Sequence, residues 1–233
     1  MTVVILTLFP GMFNGVFSES IIKRAVNAGK VELKIVNLRD FTKDRHKTAD
    51  DRPYGGGAGM VLKPEPIFEA VKKFKKRNSV VLLTSASGKK YTQKDCEKLS
   101  SCSHIIIICG HYEGVDERVA EKLADYEFSV GDYVLTNGEV PAMIIVDSIA
   151  RLLPGVLGHS DSNRYESFAD GILEYPHYTR PAVYNGFKVP KVLLSGNHKE
   201  IDGWRRNKAL AKTRKNRKDL LVKTGNKKSL KGD

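Results

Sequence analysis

Several large protein classes are excluded by what this chain lacks. Its 233 residues contain only three cysteines, Cys96, Cys102 and Cys109, with no CxxC pair. An odd, unpaired set of this kind argues against a disulfide-stapled scaffold. No HExxH occurs and the six histidines are scattered, so no metal centre is expected. Long apolar runs are missing too. The first, Val3 to Leu8, is far too short to cross a bilayer, and no basic segment precedes it, which argues against a secretory leader. A cytoplasmic protein without a membrane span is expected. Nothing repeats along the chain.

What is present is ordinary for a globular protein: 41% apolar and 28% charged residues. The length suits one α/β domain with its own core plus a small second module. The net charge of +12 is unevenly placed. From Trp204 to Asp233 there are twelve Lys or Arg against two Asp, so this tail carries +10 and residues 1–203 only +2. Such a run suits phosphate neutralisation, although a solvated tail that only keeps the protein soluble has the same composition.

The first part alternates apolar runs with amphipathic stretches. Val3 to Leu8, Val31 to Val36, Val80 to Thr84, Ile105 to Cys109 and Glu127 to Val130 read as strands. Between them, Met12 to Ala28, Pro64 to Lys76, Thr92 to Ser101 and Val115 to Ala124 read as helices. Repeated βα units predict a largely parallel sheet covered by helices. Val140 to Leu153 is interrupted only by Asp147, Ser148 and Arg151; a helix apolar nearly all round must be buried nearly all round. His159 to Glu166 is polar and reads as a linker. Beyond it strand signals are few, and helices are expected over Lys199 to Lys215 and near Asp219, before a Lys- and Gly-rich end read as disordered.

Three loops stand out. Asp50-Asp51-Arg52-Pro53-Tyr54 runs into Gly55 to Gly59, where four of five residues are glycine. Such a loop permits positive φ and close backbone approach to a ligand. It is neither a Walker loop, since no Gly-Lys-Ser/Thr follows, nor a dinucleotide fingerprint, since Met60 stands where the third glycine would be. Cys109 to Arg118 and Ser129 to Glu139 each follow a strand and carry glycines, acids and tyrosines. Ligands of open α/β sheets bind at strand carboxyl ends. These features stop at an α/β domain with a ligand pocket, a linker and a basic helical module, and do not name the ligand.

The motifs DRPYGGGAGM, CGHYEGVDERV, SVGDYVLTNGE, RLLPGVLGH and PHYTRPAVYNG, followed by VPKVLLSGNHKEI, occur in this order. Together they closely resemble the bacterial tRNA (guanine-37-N1)-methyltransferases, a family of knotted α/β methyltransferases, and the resemblance extends to about Leu221. It implies a parallel-sheet domain, residues 1–158, with a deep C-terminal trefoil knot; a flexible linker, 159–170; and a small helical, basic tRNA-binding domain, 171–233. It also implies S-adenosylmethionine as cofactor. The matching cofactor positions are Thr84, Ser85 and Gly88, then Gly110, Tyr112, Glu113 and Gly114, then Ser129, Val130, Gly131, Asp132, Tyr133, Val134, Leu135, Asn137 and Gly138. Substrate positions carried over are Asp50, Arg52, Tyr54, Gly55, His111, Asp116 and Ser167.

Methylating guanine N1 requires a carboxylate to take its proton and a cation facing O6 as negative charge grows there. The resemblance implies Glu166 as the base, in a Glu-Ser-Phe sequence where the family has Asp-Ser-Phe, with Asp161 as the alternative. It implies Arg151, just before Leu-Leu-Pro-Gly, as the cation. His111 stands where many members have arginine, and Asn137-Gly138 replaces a double glycine. A related knotted methyltransferase with another RNA target and a non-catalytic RNA-binding protein are the rival readings. The apolar helix from Val140 to Leu153, and the family's pairing through its knots, imply a homodimer in which Glu166 of one chain serves the pocket of the other.

Overall fold

The computed structural model describes residues 1–157 and 166–225. The chain divides into two compact units, Met1–Gly158 and His159–Asp233. Asp161, the C-terminal end beyond 225 and most of the expected linker lie outside the described residues.

The first unit is a mixed α/β structure. Its elements run β1 (Thr2–Thr7), α1 (Asn14–Phe17), α2 (Ser20–Asn27), β2 (Glu32–Asn37), β3 (Asp50–Asp51), β4 (Val61–Leu62), α3 (Pro64–Phe74), β5 (Ser79–Lys90), α4 (Gln93–Ser100), β6 (His104–Cys109), α5 (Glu117–Leu123), β7 (Tyr126–Ser129) and α6 (Glu139–Ala150). The central sheet has the order β2-β1-β6-β5-β7, and every pairing in it is parallel. All five carboxyl ends therefore share one edge.

The apolar runs of β1 and β6 are continuous because both faces of the sheet are covered. Val3, Ile5, Ile105, Ile107 and Cys109 enter one core with Ala25, Leu99, Ala142, Ile145 and Ile149, from α2, α4 and α6. Val4, Leu6, Ile106 and Ile108 enter the other, with Ile67, Ala70 and Val71 of α3 and Val119 of α5. The period-2 alternation of strand side chains thus feeds two layers of helices.

Three local expectations change. Met12 to Ala28 is not one helix: a 3-10 turn over Pro10–Phe13, α1 and α2 succeed one another. The poor helix formers Ser18 and Ser20 sit at the break, and Ser20 takes a left-handed φ of 52°. Val80 to Thr84 is only the first half of β5. Thr84 and Lys89 both pair with Phe128, so Ser85 to Gly88 form an excursion within one strand. The second unit contains a hairpin, β8 (Val183–Tyr184) and β9 (Phe187–Lys188), besides α7 (His198–Asn216) and α8 (Lys218–Gly225). There Ile201, Ala209 and Thr213 of α7 are buried, and Thr213 Oγ1 accepts the Leu173 N–H at 2.9 Å. The basic segment is therefore part of a folded element and not wholly a free tail.

Candidate active site

The carboxyl edge of the sheet opens into a cavity of about 400 Å³. Three walls meet there: the excursion of β5, the loop after β6, and the loop between β7 and α6. Thr84 and Ser85 line it from the first, and Gly110, His111, Tyr112, Glu113 and Gly114 from the second. From the third come Ser129, Val130, Tyr133, Val134, Leu135, Asn137 and Gly138.

Close backbone approach is built into these walls. The Gly138 N–H donates to Gly110 O at 2.7 Å, and Thr84 Oγ1 donates to Ile108 O and Gly138 O, both at 3.2 Å. A Cβ on Gly138 would collide with Thr84 Oγ1, and would stand 2.6 Å from Gly110 N and 2.9 Å from Cys109 Cα. Only glycine lets the returning chain pass between the ends of β5 and β6. Gly88 and Gly131 act one step behind the wall: a Cβ on Gly88 meets the backbone of Glu127 and Phe128 at 2.7 Å, and one on Gly131 meets the Tyr133 ring. Asp132 is exposed and ion-pairs Lys90 at 3.1 Å.

The second loop is held in a conformation few residues adopt freely. Tyr112 has a φ of 58° and Gly114 a φ of 117°, an arrangement that persists only where surrounding contacts impose it. Those contacts are backbone bonds: Glu113 N–H to Met60 O at 3.0 Å, Leu62 N–H to Gly114 O at 3.0 Å and Asp116 N–H to Leu62 O at 3.0 Å. They tie the loop to β4, which pairs antiparallel with β3. The glycine-rich segment is the turn of that small hairpin, with Gly55, Gly56, Gly57 and Gly59 all at positive φ. Asp50, Arg52, Tyr54 and Gly55 therefore hang from the cavity wall without lining it, and Tyr54 is 99% exposed. Asp116 caps α5, and hydrogen bonds from the Arg118 guanidinium hold its carboxyl below the usual range.

The cavity leaves polar capacity unspent. His111 Nδ1 and Asn137 Oδ1 are buried atoms without a partner among the described residues. The His111 ring lies against Phe9 and Tyr112, at 4.8 and 4.3 Å between centroids. Beneath the wall, Thr7 Oγ1 donates to Glu139 Oε1 at 2.5 Å, while Glu139 Oε2 has no partner among the described residues. This carboxyl group is fully buried at the first turn of α6. Burial, and then Glu139, push the Cys109 thiol well above its ordinary range. The Thr7–Glu139 pair was not foreseen; its one sequence signal is an acid opening an otherwise apolar helix.

Arg151 caps the C-terminal end of α6, its N–H donating to Asp147 O at 3.2 Å, and does not line the cavity. Glu166 and Ser167 belong to the second unit, where Ser167 Oγ accepts the Glu174 N–H at 3.1 Å. No three His, Cys, Asp or Glu side chains gather as a metal site among the described residues. No described helix is long and apolar enough to cross a membrane.

With this geometry in view, the comparisons with known proteins are decisive. A family model described as tRNA (Guanine-1)-methyltransferase TrmD matches residues 1–223. The chain belongs to this family. Three curated relatives, each named tRNA (guanine-N(1)-)-methyltransferase, are similar over most of their length. One from Dictyoglomus turgidum is 60% identical over 220 residues, covering 94% of this chain and 89% of the relative. One from Carboxydothermus hydrogenoformans is 54% identical over 225 residues, covering 97% and 89%. One from Anoxybacillus flavithermus is 54% identical over 224 residues, covering 95% and 91%.

Proposed function

We propose that this protein transfers a methyl group from S-adenosylmethionine to N1 of guanine 37 in tRNA, in the cytoplasm. The observation that carries the reading is the carboxyl-edge cavity, walled by the β5 excursion and by the two loops, Cys109 to Arg118 and Ser129 to Glu139, whose motifs match the family. Its volume suits a small-molecule cofactor. His111 Nδ1 and Asn137 Oδ1, without partners among the described residues, offer hydrogen bonds, and the glycine-lined crossing at Gly110 and Gly138 lets backbone amides reach a planar base. The cofactor supplies an electrophilic methyl group on a sulfonium. Gly110, Tyr112 and Gly114 would hold it from one side, and Ser129, Val130, Tyr133, Leu135, Asn137 and Gly138 from the other. The return of residues 131–138 between the ends of β5 and β6 supports a trefoil knot as the means of fixing these loops.

Glu166 removes the N1 proton, leaving the ring nitrogen's electron pair free to attack. Arg151 faces O6 and offsets the negative charge that develops there. Removing a general base typically costs about 10² to 10⁴-fold in rate. Asp50, Arg52, Tyr54, Gly55, His111, Asp116 and Ser167 position the RNA, with the basic second unit neutralising phosphates. Val140 and Ile144 lie exposed on α6, and α6 packs beside the Pro10–Phe13 turn, which carries the exposed Met12. This apolar surface supports a homodimer, with Glu166 of one protomer acting at the cavity of its partner.

Methyl transfer to tRNA transcripts tests the reaction. Transcripts with guanine at position 37 should accept label and transcripts with adenine there should not; equal labelling of both would point to another RNA target. Calorimetry with S-adenosylmethionine separates an enzyme from a binding protein that has lost its cofactor. Sharing of sites is tested by mixing Glu166→Ala with Gly110→Trp chains, each inactive alone. The mixed dimer should regain one working site, and a mixed dimer confirmed by mass yet inactive would refute the sharing.

A further inference from the structure

The hairpin of the second unit holds two aromatic rings out in solvent. Tyr184 and Phe187 pair across the β8–β9 ladder, so they project on the same face, and they are 67% and 80% exposed. The turn between them is Asn185-Gly186, with φ values of 48° and 81°. Two consecutive positive φ values make the tight hairpin turn that matches strand twist. The Val189 N–H donates to Ala182 O at 2.9 Å and extends the ladder beyond the four strand residues. The rings are thus carried by a short, well-bonded backbone. Aromatic side chains dominate interface energetics when covered, and these two stand largely in solvent.

Charge selects what covers them. Between Glu174 and Glu200 there is no acidic residue, while Arg180, Lys188, Lys191 and Lys199 are all cationic. Lys188 follows Phe187 directly and pairs with Val183 on the opposite face of the hairpin. A second hairpin of the same kind laid against this one would bring these cations together, like charge to like. Exposed rings in a segment that carries cations and no acids instead complement an unpaired nucleotide, whose base stacks and whose phosphate is neutralised.

We propose that Tyr184 and Phe187 form a stacking clamp for an unpaired base of the tRNA substrate, with Lys188 on the adjoining phosphate. The proposal rests on the reading of tRNA as substrate and names a contact through which the second unit grips it.

The test uses the full chain and an unlabelled tRNA transcript, with Kd measured across a salt series. Tyr184→Ala and Phe187→Ala should each weaken binding about tenfold, within the range for one base–aromatic stack. The slope of log Kd against log salt should stay unchanged, because no cation is lost. Lys188→Gln should instead lower that slope by roughly 0.7 to 0.9. Phe187→Trp should retain affinity and Phe187→Leu lose it, which separates a ring face from mere apolar bulk. Cofactor binding and the thermal melt, unchanged in each variant, show that the fold persists. Wild-type affinity in the Tyr184→Ala/Phe187→Ala double variant overturns the clamp, as does Leu serving as well as Phe. A dimer that falls to monomer in that variant overturns it too, by assigning the rings to a protein interface. If the wild-type chain itself binds no tRNA, the substrate reading fails, and the clamp with it.

Discussion

The two edges of the parallel sheet are finished in opposite ways. At the amino edge the starts of β1, β5 and β6 are closed by ordinary contacts. The Thr2 N–H donates to Ser103 O at 2.9 Å, the N-terminal amine to Lys30 O at 3.0 Å, and the Val81 N–H to Asp125 Oδ2 at 2.8 Å. Ser79 Oγ accepts the Lys76 N–H at 2.6 Å and sits 2.9 Å from His104 Nδ1. At the carboxyl edge the chain passes itself with no room for a Cβ at Gly88 or Gly138 and keeps Tyr112 in a left-handed conformation. His111 Nδ1, Asn137 Oδ1 and Glu139 Oε2 remain without partners there among the described residues. Buried polar atoms left unmatched cost stability. Among the described residues the sheet carries that cost at its carboxyl edge, where the proposed ligand would bring polar groups of its own.

The largest expected effect comes from filling the crossing at the carboxyl edge. Gly138→Val puts side-chain carbon against backbone atoms of Cys109 and Gly110 that cannot move aside, and overpacking of this kind costs typically about 1–3 kcal/mol or more. Calorimetry should find no measurable S-adenosylmethionine binding and no methyl transfer. Gly203→Ala is the contrasting substitution. Gly203 lies within α7 with nothing inside 4 Å of a new Cβ, so this change should stabilise the helix by about 0.5–1 kcal/mol. If Gly138→Val binds cofactor as well as the wild type, the crossing is not the binding wall.

A smaller effect is expected beneath the wall. Thr7→Val keeps the volume but removes the hydrogen bond that Glu139 Oε1 accepts from Thr7 Oγ1. An unsatisfied buried acceptor costs roughly 1–3 kcal/mol, so Tm should fall by several degrees and the cofactor Kd should rise. A Tm within one degree of wild type would mean that the pair does not support the loop.

The smallest effect belongs to the amino edge. Burial, followed by the nearby Lys76 and Lys34, lowers the pKa of His104 below its ordinary value. The folded state therefore favours neutral His104, and the unfolded chain takes up its proton more readily. Stability from this group is present above about pH 6.5, the ordinary histidine value, and is lost as pH falls through the depressed pKa. Melts between pH 7.5 and 5.5 should show Tm falling by about 1–3 °C, and His104→Asn should flatten that dependence while leaving cofactor binding alone. A steeper fall in the variant would place the pH sensitivity elsewhere.

Much of this contrast was legible in the residues. Continuous β-branched runs marked β1 and β6, and glycines after strands marked the carboxyl-edge loops, because a buried strand and a ligand-facing turn each have a composition of their own. Interruptions of regular structure were less visible. The apolar spacing from Phe13 to Ala25 is compatible with one helix, and only tertiary packing decides that it breaks at Ser18 to Ser20. The β8–β9 hairpin did carry an Asn-Gly signal, but two residues on either side are too few to show alternation. The Thr7–Glu139 pair left one trace, an acid opening an apolar helix, but its partners are 132 residues apart and nothing in the sequence joins that acid to Thr7.

The most direct test of the account is to map the product. tRNA incubated with the protein and isotopically labelled S-adenosylmethionine is digested, and the nucleosides are placed by mass spectrometry. The account predicts 1-methylguanosine at position 37 alone. It also predicts that Glu166→Gln cuts the single-turnover rate by about 10² to 10⁴-fold with cofactor binding nearly unchanged. Label on another nucleotide or another ring atom, or an undiminished rate in Glu166→Gln, would contradict it.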